Sequence, residues 1–306
     1  MHIWDIDHTY LNLPREELKK LIQLPLEAAQ EGHYVPGSTI LLRRLQHHSE
    51  RLAFISTSPE IARANLKRKM RTDGIIHPRL IMRRKISLGR RIFQRDYNDT
   101  PGFKLLHLLR LLEENSKAQS HPKSKFPGKI PAHRDYLMGT TQDWDMFTYL
   151  LCYEILQKRA TAQEIAFYLS QSGASNRRIY QIIQQSKKIL YGQADSKGIA
   201  PPRIILQKDR SLHQGGQAPF YRKNPVLRIS RNHFQTALFL YLDKVFTRED
   251  VLQVAQEITT HVRRYAALLT ASLADLYIRG YLSKSQWCRL GHYLWRYHLL
   301  QDHQHR

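Results

Sequence analysis

Short apolar runs separated by amphipathic stretches pattern the first half of the chain. His2-Ile3-Trp4, Leu52-Ala53-Phe54-Ile55, Leu80-Ile81-Met82 and Tyr136-Leu137-Met138 are too short for helices and read as buried strands. The stretches 14–31, 38–48, 59–71 and 102–114 carry helical periodicity, two of them opened by Pro14 and Pro59. Residues 115–133 are polar and rich in Lys and Pro, and read as a loop. Strands alternating with helices predict a parallel sheet with crossover helices.

From Asp145 onward the pattern turns helical, over 146–158, 161–171, 175–190, 232–243, 247–280 and 283–300. The intervening 192–231 is rich in Gly, Pro, Lys and Arg. It reads as a long loop or as two short strands near 203–206 and 226–229. The expected fold is α/β: a Rossmannoid parallel sheet with flanking helices over residues 1–158, then a basic, mainly α-helical domain over 159–306. Residues 161–190 admit a helix-turn-helix or an ordinary helical hairpin; the turn is about three residues longer than the usual motif, which favours the hairpin.

Composition narrows the class. A hydrophobic share of 42% in 306 residues excludes a disordered chain and gives a prior of two domains. The net charge of +22 and pI near 10.1 point to a polyanion: nucleic acid, an anionic membrane surface or a phosphorylated substrate. The segment 63–95 concentrates basic side chains and reads as a candidate polyanion-facing surface. No leader and no apolar stretch of bilayer-spanning length is visible, so the expected location is cytoplasmic, peripheral at membranes if the basic surface meets lipid. Cys152 and Cys288 have no metal-ligand spacing and form no disulfide framework.

The candidate chemistry gathers where strands end. Asp5 and Asp7 leave the first strand one residue apart, which lets both carboxylates serve one site. Such an oxygen-rich pair suits magnesium, and an anionic Asp5 is then able to attack phosphorus while Asp7 acts as acid and base. Ser56 follows the second strand, and Lys104 opens a later helix; hydroxyl and ammonium together stabilise phosphoryl oxygens. Asp143 and Asp145 follow the strand ending at Gly139 and supply further carboxylates.

In this order, Asp5-x-Asp7-x-Thr9, Ser56-Thr57-Ser58-Pro59, Lys104 and Gly139-Thr140-Thr141-Gln142-Asp143-Trp144-Asp145 resemble the four motifs of the haloacid dehalogenase-like phosphatases. The detail is most similar to the phosphatidate phosphatase catalytic domain, over roughly residues 1–150. The resemblance implies a haloacid dehalogenase-like sheet and magnesium-dependent hydrolysis of a phosphomonoester, phosphatidate or another phospholipid among the candidates. It implies Asp5 as nucleophile, Asp7 as acid and base, Ser56, Thr57 and Lys104 on the phosphoryl group, and Asp5, Asp7, Asp143 and Asp145 around the metal. One position departs: Thr140 stands where the closing motif has its first Asp. Two alternatives stay open: a phosphatase acting on nucleotide or nucleic-acid phosphate, and a catalytically weakened polyanion-binding protein.

Overall fold

The computed structural model describes residues 1–6, 9–10, 35–48, 51–60, 63–83, 99–120, 135–141, 143–191, 199–208 and 226–300. Its strands are β1 (His2–Asp5), β2 (Leu52–Pro59), β3 (Arg79–Arg83), β4 (Tyr136–Thr140), β5 (Arg203–Gln207) and β6 (Leu227–Ser230). They form one parallel sheet in the order β3-β2-β1-β4-β5-β6. The chain therefore winds outward from β1 in one direction and from β4 in the other. This doubly wound order leaves a crevice at the carboxyl ends of the two central strands.

Side chains alternate across the sheet, and both faces are covered. Trp4, Phe54, Tyr136, Met138 and Ile205 point to one face. There they meet α1 (Ser38–His48), α2 (Arg63–Thr72), α7 (His233–Leu242), α8 (Arg248–His261), α9 (Tyr265–Ile278) and α10 (Lys284–Arg296). Ile3, Ala53, Ile55, Leu137, Ile204 and Leu206 point to the other. That layer consists of α3 (Thr100–Ser120), α4 (Asp143–Leu156), α5 (Ala162–Gln171) and α6 (Asn176–Tyr191). Burial on both faces explains why the strands read as uninterrupted apolar runs. Each fully buried large side chain contributes roughly 1.5–3 kcal/mol.

The α/β expectation holds, but the division at 158/159 runs through the sheet rather than between two folded units. β5 and β6, both beyond residue 158, pair in register with β4 and with each other. Helices α7 to α10 share a core with Trp4 and Phe54. Asp243, the C-cap of α7, ties these parts together. It accepts two hydrogen bonds from the Arg228 guanidinium of β6, each 2.9 Å, and one from the Tyr136 hydroxyl of β4, also 2.9 Å. The second half is thus not a separate helical domain: it supplies two strands and a face of the core.

Smaller differences have local causes. The helix expected over 247–280 is two helices, because Val262 takes an extended backbone (φ −127°, ψ 113°) and ends α8. Arg263 and Arg264 lie exposed in the break. α3 continues to Ser120, into the stretch expected as a loop. The helix expected over 14–31 and most of the basic run after Arg83 lie outside the described residues. Among the described residues, no helix is long and apolar enough to cross a membrane.

A chain ending at residue 158 leaves β4 as an open edge and strips α7 to α10 from Trp4, Phe54 and Tyr136. Expressed alone, it is expected to melt without a cooperative calorimetric transition; a sharp transition would show that the first half folds by itself.

Candidate active site at the carboxyl edge

Asp5 is the last residue of β1, the strand beside the switch point. Lys104 is the fifth residue of α3, and Asp145 lies in the first turn of α4. The Lys104 ammonium donates to Asp5 Oδ1 at 2.8 Å and to Asp145 Oδ1. All three side chains are more than nine-tenths buried. Burial penalises the charge of an ammonium. Burial draws the Lys104 pKa down, but the charges of Asp145 and Asp5 outweigh it and the net shift is upward. The ammonium therefore stays charged. Asp145, in contrast, gains from its place at the N-terminus of α4.

Asp145 is held from a second side. Its Oδ2 accepts the Thr140 backbone N–H at 3.2 Å and the Thr140 hydroxyl at 3.4 Å. Thr140 is thus a donor that orients the carboxylate from the end of β4, just before α4 begins. Gly139 permits this closeness. A Cβ there would fall 2.8 Å from Tyr149 Cε2 and 2.9 Å from Asp145 Oδ2. Tyr149 closes the buried side and donates its hydroxyl to the Met138 carbonyl at 3.3 Å. Burial, and then the charges of Asp145 and Asp5, push its phenol well above the usual range, so it remains a neutral donor.

The turn after Asp5 is clamped by parts of the chain remote in sequence. Thr9 donates its hydroxyl to the Asp5 carbonyl, and Tyr10 N–H bonds the Ile6 carbonyl at 3.1 Å. The Tyr10 hydroxyl donates to Asp73, just past α2. His233, the first residue of α7, places Nε2 at 2.6 Å from the Thr9 carbonyl. A carbonyl only accepts, so Nε2 carries the proton. Burial lowers the His233 pKa to about 4, against a smaller opposing effect of that hydrogen bond. The ring is therefore a neutral positioning group.

Of the candidates, Asp5, Lys104 and Asp145 come together. Ser56 stands on the neighbouring strand, one residue beyond Ile55, the register partner of Asp5, and is fully buried. Thr57 follows it, half-buried. Asp7 and the side chain of Asp143 lie outside the described residues. Arg83, buried at the end of β3, was legible only as part of a basic run; its guanidinium lies 3.4 Å from the Thr100 hydroxyl at the start of α3. His233 carried no signal in the sequence, because 224 residues separate it from Thr9.

Two carboxylates around one ammonium leave a net negative charge in a buried place. Carboxylate oxygens are the donors that magnesium takes, so Asp5 and Asp145 fit that ion in chemistry and sign. Among the described residues, no three His, Cys, Asp or Glu side chains gather into a metal-binding group, so an ion held there would need a ligand beyond Asp5 and Asp145. Comparison of the chain with family models, curated proteins and solved structures returns no match in any of the three.

Two outcomes follow from this geometry. Gly139→Ala forces Tyr149 or Asp145 away and is expected to cost about 1–3 kcal/mol. Urea melts measure it, and an unchanged midpoint would mean that the close approach is not rigid. His233 is neutral in the fold while its unfolded counterpart titrates near 6.5. Above that pH it has no effect on stability; as pH falls from 6.5 to 4 the unfolded state takes up the proton first. Stability is then expected to drop by up to roughly 3 kcal/mol. His233→Gln, compared by thermal melts across that range, should flatten this part of the profile.

Proposed function

We propose that the chain is a magnesium-dependent phosphomonoester hydrolase of the haloacid dehalogenase-like type, with Asp5 as its nucleophile. The observation that carries this reading is the buried Asp5–Lys104–Asp145 arrangement at the switch-point edge of a parallel sheet. Asp5, Asp7, Asp143 and Asp145 are the residues that would hold magnesium. Magnesium bound there supplies positive charge against the phosphoryl oxygens.

In this reading Lys104, Ser56 and Thr57 bind the phosphoryl oxygens. One Asp5 oxygen forms a bond to phosphorus as the bond to the leaving oxygen breaks, and Asp7 gives that oxygen its proton. Water then attacks the aspartyl phosphate, Asp7 takes a proton from it, and the Asp5–phosphorus bond breaks to release phosphate. Before the attack, Lys104 holds Asp5 in place through its hydrogen bond to Oδ1, which is electrostatic preorganisation.

Thr140 favours activity over a weakened scaffold, because it gives Asp145 two hydrogen bonds. Phosphatidate or another phospholipid is the substrate class that the motif resemblance offers. The charge of +22 suits an anionic carrier of either kind, lipid or nucleic acid.

The test is phosphate release from p-nitrophenyl phosphate and from phosphatidate, with and without magnesium. Asp5→Asn is expected to lower kcat more than a thousandfold while the protein still melts cooperatively. Full activity in Asp5→Asn sinks the nucleophile assignment. Failure of magnesium and beryllium fluoride together to modify or protect Asp5 sinks the aspartyl-phosphate route.

A further inference from the structure

The outward face of α6 is unusual in what it exposes. Arg177, Tyr180, Gln184, Lys187, Lys188 and Tyr191 recur at helical spacing, and all are exposed. The opposite face buries Ile179, Ile182, Ser186 and Ile189. Tyr180 and Tyr191 are 63% and 77% exposed, and Phe167 on the adjoining α5 is 60% exposed. Phe167 and Tyr180 line an open groove between the two helices, with Ser170, Asn176 and Ile183 between them. Single exposed rings are ordinary, but rings grouped along one groove are not.

Charge adds direction. α6 carries Arg177, Arg178, Lys187 and Lys188 and no acid. Arg178 pairs with Asp99, and Lys188 with Glu113. Arg177 and Lys187 have no ion pair among the described residues. The sole carboxylate of α5, Glu164, is occupied in a capping box with Thr161.

We propose that the α5–α6 surface binds single-stranded nucleic acid, its bases stacking on Phe167 and Tyr180 and its phosphates meeting Arg177 and Lys187. Ring faces beside cations are the elements of sequence-tolerant single-strand binding. A membrane-docking helix instead presents a broad, continuous apolar face of Trp, Phe and Leu opposite its basic one. Here the α6 isoleucines are buried or half-buried, and Gln171, Ser170 and Gln184 stand exposed around the rings. The turn that the sequence spacing makes too long for a helix-turn-helix is only four residues, Ser172–Ser175, with Gly173 at φ +79°; that length suits the motif, so duplex DNA is the competing nucleic acid. Exposed rings favour unpaired bases over a duplex, whose bases are already stacked.

The surface adjoins the catalytic edge. Arg178 Nε lies 3.1 Å from Asp99 Oδ2, and a Cβ on Gly102 would fall 2.9 Å from Arg178 Cγ. The start of α6 is thus seated on the start of α3, two residues from Lys104 at Gly102. The binding itself does not depend on the phosphatase reading.

The test is fluorescence anisotropy with a labelled oligouridine of about 12 nucleotides, titrated at several salt concentrations, using the full chain. Phe167→Ala and Tyr180→Ala are each expected to weaken binding about tenfold, while Tyr180→Phe keeps it. Arg177→Ala should reduce the log–log salt slope by about 0.7. Trp295→Ala, an exposed ring on α10, should change nothing. Asp5→Asn should bind as the parent does, so loss of turnover and loss of binding are read separately. Ring variants that bind normally, or an equal loss in Trp295→Ala, overturn the proposal. So does tighter binding to a duplex of the same length, or ring-dependent binding to phosphatidylserine vesicles without binding to the oligonucleotide.

Discussion

The Lys104 ammonium held between Asp5 and Asp145 is the interaction on which the carboxyl edge depends. It joins the end of β1 to the N-terminal parts of α3 and α4, across sequence separations of 99 and 41 residues. All three groups are buried, so none is stable there alone. Removing one partner of such a set costs roughly 3–5 kcal/mol, because it strands an uncompensated charge. The edge is therefore coupled to the correct docking of both helices. A helix displaced by a fraction of a turn leaves an ammonium or a carboxylate without its counter-charge.

A second set of contacts fixes the other side of Asp5. The turn that follows it is tied through Thr9 to His233 and through Tyr10 to Asp73. These come from α7 and from the end of α2, which belong to the layer opposite α3 and α4. Asp5 is thus gripped from both faces of the sheet. The C-terminal helices therefore belong to the same body as the carboxyl edge rather than to an appendage: they cover Trp4, and α7 anchors the backbone at Thr9.

Much of the sheet was legible because parallel strands buried on both faces leave short, continuous apolar runs. Trp4, Phe54 and Met138 marked them directly. β5 and β6 were legible only as an alternative to a loop, since Ile204–Leu206 and Leu227 are brief islands in a stretch of Lys, Arg and Gly. The missed continuity across residue 158 has the same origin. Helices outnumber strands there, and nothing local in a sequence says which sheet a five-residue strand joins. The meeting of Asp5, Lys104 and Asp145 followed from motif order. His233 did not, because a histidine at a helix start looks alike whether it faces solvent or a carbonyl 224 residues away.

Thr140 shows how a departure from a motif reads differently once charges are placed. Its hydroxyl lies 3.4 Å from Asp145 Oδ2. A carboxylate at that position would stand against a second carboxylate in a buried site already carrying one excess negative charge, which only a bound cation relieves. With threonine, Lys104 alone brings the described cluster to within one charge of neutrality, and the Asp145 oxygens are oriented by donors instead of repelled. The edge is then held in shape by donors and an ammonium that belong to the fold itself.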